Sequence, residues 1–180
     1  MGRPGSMSRV VDLEKGRLAI AAKKGYRNWR SQFGENFALH TKLSDISQRT
    51  LSYLAQGKDK GTFYLYDLIM HLESLGSGFE FNEISAKSKM AVIDRYLFLL
   101  DRIRFECMRR LGWIDHYPGQ ELSIVELVTR FEEVAPGFQA KIPALSSTHP
   151  DYKQFCSLNA FDRETFIRGL IPMVLKKIRD

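Results

Sequence analysis

Four histidines (His40, His71, His116 and His149) and two cysteines (Cys107 and Cys156) are the side chains best suited to metal ligation or nucleophilic attack. The histidines lack metal-ligand spacing, and neither His-Glu-x-x-His nor Cys-x-x-Cys occurs. Cys156 lies seven residues beyond His149. A Cys–His nucleophile needs the base held against the thiol by a third group, and nothing in the spacing implies that contact. A structural cysteine and a loop histidine are expected. Gly57-Lys-Asp-Lys-Gly-Thr62 has the residue types of a phosphate loop in the wrong order, since that loop reads GxxxxGK[ST] between a strand and a helix. It reads as a connector, and Leu75-Gly-Ser-Gly-Phe-Glu-Phe81 likewise lacks a dinucleotide-fold context. Asp101, Arg102, Arg104, Glu106, Arg109 and Arg110 crowd one segment, where Glu106 and Arg110 can pair at i,i+4. A solvated, salt-bridged stripe is expected there, with a polar partner-binding surface as the alternative. No enzyme activity, cofactor or metal site is therefore expected.

The elements that would position these groups are all helical. Val11, Leu18, Ala22, Tyr26, Trp29 and Phe33 form one apolar stripe, predicting a helix from Val10 to about Gln32, with Gly25 able to break it and Gly34 to end it. Phe37–Lys42 is expected as a short second helix. Ser44–Gln56 is the third, with Leu43, Ile46, Thr50, Leu51 and Leu54 inward, Ser44 or Ser47 as N-cap and Gly57 as the C-terminal stop. A leucine-rich helix follows from near Thr62 to Gly76. The most apolar helix is predicted over about 85–111 and is central by its composition. Ser123-Ile-Val-Glu126 is a capping box opening a helix that ends before Pro136, followed by a proline-containing loop to residue 150. A short helix at Tyr152–Leu158 and a last one at Asp162–Ile178, kinked at Pro172, complete an all-α bundle of about seven helices.

Composition agrees with a globular chain, at 44% hydrophobic and 27% charged residues. No apolar run reaches the roughly 18–20 residues of a membrane span, and no signal sequence is evident, so a cytoplasmic protein with reduced thiols is expected. Residues 1–6, Met-Gly-Arg-Pro-Gly-Ser, read as a remnant of cloning. Residues 7–78 form a basic helical region, and 79–180 a helical domain for dimerisation or partner binding.

The net charge of +6 is unevenly spread. Residues 1–60 hold 12 Lys/Arg against 5 Asp/Glu (net +7), and residues 61–180 hold 15 against 16 (net −1). Such asymmetry hints at contact with nucleic acid or another anionic surface, and a solvated basic face with no partner is the alternative. Ile46-Ser47, Leu51-Ser52, Gly57-Lys58 and the leucine-rich run to Leu75-Gly76 resemble the later part of a phage-repressor-like (Cro/Xre-type) helix-turn-helix over residues 46–76. Asp45 stands at that family's turn glycine, and His40 and Thr41 at its preceding aliphatic and small positions. The resemblance implies a DNA-binding protein, in the manner of a transcriptional regulator. Ser47, Gln48, Arg49, Ser52 and Tyr53 would contact bases, because Gln and Arg bond adenine and guanine edges. Arg17, Lys23, Lys24, Arg27, Arg30, Lys58 and Lys60 would contact phosphates. The expected partners are double-stranded DNA and a second copy of the chain, with no membrane. The alternative is an all-helical interaction or structural protein without nucleic acid.

Overall fold

The computed structural model describes residues 6–139 and 141–179. The first five residues of the expected cloning remnant lie outside that range, and Ser6 opens the first helix. Ten α-helices are described: α1 (Ser6–Gly25), α2 (Arg27–Phe33), α3 (Gln48–Ala55), α4 (Asp59–Leu72), α5 (Ala86–Arg110), α6 (Ile124–Thr129), α7 (Phe131–Gln139), α8 (Tyr152–Cys156), α9 (Ala160–Gly169) and α10 (Ile171–Arg179). Two 3-10 turns, Leu43–Asp45 and Gly78–Glu83, punctuate the connections. Among the described residues extended pairing is limited to two isolated bridges, Lys42 with Ser123 and Ile114 with Leu145. The fold is all-α, as the helical periodicities require.

α5 is the axis of the bundle. Ser85 caps it by accepting from the Ser88 amide. Val92, Leu99, Ile103, Cys107 and Met108 are fully buried along it, packed into a core continuous from Ala21 to Val174. Each fully buried large aliphatic side chain contributes about 1.5–3 kcal/mol. α1 and α2 lie antiparallel to α4. A Cβ on Gly25 would sit 2.8 Å from a Leu68 methyl, so this crossing needs glycine. One step further, Trp29 donates from Nε1 to the Tyr64 carbonyl at 3.1 Å. Its ring meets Tyr26 and Phe37 edge-on at 5.1 and 5.3 Å.

Several boundaries differ from the sequence expectation. The first helix is two, broken at Tyr26 immediately after Gly25, and it ends where Gly34 takes φ +71°. Phe37–Lys42 is not helical. Phe37 is drawn into the aromatic cluster, Thr41 Oγ1 accepts from the Ala38 amide, and the Thr41 carbonyl is taken by the Ile124 amide at 3.0 Å. These side-chain and long-range backbone bonds replace the helical ladder. The capping box at Ser123 and Glu126 forms, but the helix it opens stops at Thr129. α7 follows and carries Pro136 inside it. The terminal helix breaks at Leu170, leaving Pro172 in the second position of α10, where its missing N–H costs nothing.

The charged run of α5 is the largest correction. It is not a solvated stripe: Glu106 is 0% exposed and Arg102 3%. Helices cover α5 on several sides, so its polar groups are neutralised inside. The Glu106 carboxylate accepts from Arg109 Nη2 at 2.7 Å, Arg110 Nε at 2.9 Å and the Tyr117 hydroxyl at 3.1 Å. Burial pushes the Glu106 carboxyl up, but the two guanidinium hydrogen bonds outweigh it and hold it below the usual carboxylate range.

Candidate nucleic-acid interface

α3 is eight residues long and carries the outward set expected to read bases. Leu51, Leu54 and Ala55 are buried, turning Gln48 and Arg49 to solvent. An isolated helix this short does not form in water. It is held by its N-cap, Ser47 accepting from the Thr50 amide at 3.2 Å, and by two arginines of α5. Arg110 Nη2 donates to the carbonyls of Leu43 (3.1 Å), Ser44 (3.3 Å) and Ile46 (2.7 Å) at the entry. Arg104 Nε donates to the Ala55 carbonyl (3.0 Å) at the exit, where α3's last carbonyls carry partial negative charge.

The five expected base-contacting residues differ in availability. Gln48 and Arg49 are exposed. Gln48 Nε2 donates to Ser52 Oγ at 2.9 Å along the same face. Ser47 is engaged by Glu35, which accepts from its amide and its hydroxyl, both at 2.8 Å, and from the Thr50 hydroxyl. Burial raises the Glu35 carboxyl, and the hydrogen bonds from Thr50 and Ser47 bring it below its ordinary value. A carboxylate thus occupies the positive end of α3. Tyr53 is half-buried, its ring 5.4 Å from Phe33 and stacked at 6.5 Å on Tyr64.

The expected phosphate contacts divide the same way. Arg17 pairs with Glu14 at 2.7 Å and donates to Ser74 Oγ (2.8 Å) and the Leu72 carbonyl (3.3 Å), capping the end of α4. Arg30 donates to the carbonyls of Lys23 and Phe37 and ties α1 to the segment after α2. Lys23, Lys24, Arg27, Lys58 and Lys60 are exposed. Four of them form two groups: Lys24 and Arg27 border a hollow with His71 near the end of α4, while Lys58 and Lys60 sit at its start. At 1.5 Å per residue, positions 60 and 71 are about 16 Å apart along that helix.

α10 completes the second group. Gln56 Nε2 donates to the Leu175 carbonyl at 3.0 Å and fixes α10 beside α3. Arg49, Tyr53, Lys58, Ile178 and Arg179 then border one shallow hollow of about 290 Å³. No carboxylate lines it among the described residues. The sequence separates Arg179 from Arg49 by 130 positions, so only its residue type hinted at such a role. α2 and α3 are joined by the fourteen residues 34–47, in contrast to the three or four of a helix-turn-helix turn. Among the described residues no cluster of His, Cys, Asp and Glu could hold a metal ion, and no helix is long and apolar enough to cross a membrane. No protein-family model, curated protein or solved structure matches this chain.

Proposed function

We propose that the chain binds double-stranded DNA through the α3–α10 face. The observation that carries this reading is the convergence of Arg49, Lys58 and Arg179 from separate elements on one hollow, beside the exposed flank of α3, that no carboxylate lines among the described residues. Arg49 and Gln48 offer donors of the kind that meet base edges, and Lys58, Lys60 and Arg179 supply cations for phosphates. Three phosphate contacts give a log–log salt slope of about −2.7, so affinity falls by about fortyfold between roughly 50 and 200 mM salt. Fluorescence anisotropy with a labelled duplex measures this directly. The Lys58→Ala variant lowers the slope by about 0.9, whereas Arg49→Ala also narrows the difference between duplex sequences. The absence of salt-dependent binding at low ionic strength refutes the reading.

One observation favours a second reading as a helical interaction protein. Leu13 and Ile20, seven residues apart on α1, are 74% and 61% exposed on one side of that helix. Under that reading the chain pairs with a second copy through α1. Sedimentation would then show a dimer that Ile20→Glu disperses.

A further inference from the structure

Among the described residues, Arg102 is the buried arginine of α5 whose side chain forms no ion pair with a carboxylate. Its guanidinium carbon sits 4.9 Å from the Phe98 ring centre and 5.0 Å from that of Phe105. Those π-faces favour a cation but accept no conventional hydrogen bond. Nη1 donates to the Pro118 carbonyl at 3.2 Å, and the buried Nε–H has no acceptor among the described residues. Asp101 is adjacent in sequence, but Arg168 takes both its oxygens, at 3.2 and 3.0 Å. Burial pushes the Arg102 guanidinium down to about 10, so it is charged at neutral pH. A charge so placed is costly unless an anion meets it.

Arg102 also lines a cavity of about 200 Å³ between α5, the end of α7, residues 141–143 and α9. Phe105, Phe138, Ile142, Pro143 and Ile167 form the apolar half of its lining, and charged side chains form the other half. At its rim Arg168 pairs with Asp101 (3.0 Å) and Glu164 (3.2 Å), and Lys141 supplies a second cation, so the rim charges cancel. We propose that this cavity binds a small organic monoanion, a carboxylate on a compact apolar body, with Arg102 holding the carboxylate and the aromatic and aliphatic walls holding the body. The size sets the class, since drug-sized ligands occupy about 300–1,000 Å³. The charge sets the valence: the rim charges cancel, so Arg102 is left to match one negative charge, and a dianion such as hydrogen phosphate exceeds it. The site is independent of the proposed DNA face.

Benzoate, benzamide and inorganic phosphate are the probes, titrated into the intact chain by NMR with ¹³C-labelled methyl groups. The expected result is that benzoate shifts the Ile142 and Ile167 methyls and binds at least about tenfold more tightly than benzamide, the worth of one charge-assisted hydrogen bond, while phosphate leaves these signals unmoved. Arg102→Met, which keeps the apolar stem, abolishes the preference for benzoate. If the Met variant fails to fold, the wild-type comparison of benzoate with benzamide still decides. Equal binding of the two, no shift with benzoate, or a folded Met variant that keeps the preference overturns the proposal. Tighter binding of phosphate than of benzoate overturns it equally.

Discussion

Replacing Glu106 by Gln tests how the interior charges of α5 stabilise the chain. The carboxylate accepts from four donor atoms: Nε and Nη2 of Arg109, Nε of Arg110 and the Tyr117 hydroxyl. Removing one partner of a buried pair costs about 3–5 kcal/mol. Two features reduce that figure here. The Arg109 and Arg110 side chains are 34% and 21% exposed, so water recovers part of their solvation, and glutamine keeps one acceptor oxygen. A loss of about 2–3 kcal/mol at neutral pH is expected, a fall in Tm of about 4–12 °C for a chain of this size. Urea denaturation at several pH values supplies the control. Because the Glu106 carboxyl is held below its unfolded value of about 4.3, its contribution is complete above that pH and is lost as pH falls through the folded value. The gap between wild type and variant should therefore be constant from neutral pH to about pH 6 and close in acid. Arg110 loses an anchor as well, so amide exchange in α3 should quicken in the variant. A gap below about 1 kcal/mol at neutral pH, or one that persists unchanged in acid, refutes the assignment of stability to this carboxylate.

Two further outcomes follow from local geometry. Gly34 ends α2 at φ +71° with open space where a Cβ would lie, so Gly34→Ala costs about 1 kcal/mol by urea denaturation through backbone strain alone. Burial pushes the Cys107 thiol up to about 12, whereas Cys156 is exposed; iodoacetamide should modify the folded chain once, at Cys156, and twice only in denaturant.

Helix type was legible wherever an apolar stripe met a capping signal. Ser47, Ser85 and Ser123 each cap the helix that the spacing predicted, and each accepts from the amide three residues on. Helix number was less legible, because a stripe can continue in register across a break. Tyr26, Trp29 and Phe33 keep their inward spacing through the step from α1 to α2, and Leu170 and Val174 do so from α9 to α10. Phe37–Lys42 failed for a different reason: its fate depends on Ile124, more than eighty positions away, binding the Thr41 carbonyl. The outward residues of α3 were readable from one helix period, but the partners that occupy or complete the site were not. Glu35, which takes Ser47, and Arg179, which joins Arg49 and Lys58, are brought there by the fold.

The polar residues of α5 show why residue type alone misleads on a central helix. A stripe of Asp, Glu and Arg on a surface helix pairs within itself and leaves its charges in water. On α5 Asp101 pairs with Arg168 of α9, and the other charges of the run have three fates. Glu106, Arg109 and Arg110 neutralise one another while Arg110 also clamps the entry to α3. Arg104 holds the exit of α3 by a backbone carbonyl. Arg102, buried and paired with no carboxylate among the described residues, lines a cavity. Two of these fates fix the helix that presents Arg49 to solvent, and so the orientation of the proposed DNA face is set from inside the bundle. A substitution at Arg104 or Arg110 should therefore weaken DNA binding without touching DNA, and should do so by loosening α3. One at Lys58 should act only through charge. The salt slope separates the two, because a loosened α3 lowers affinity at every ionic strength, whereas a lost phosphate contact changes the slope itself.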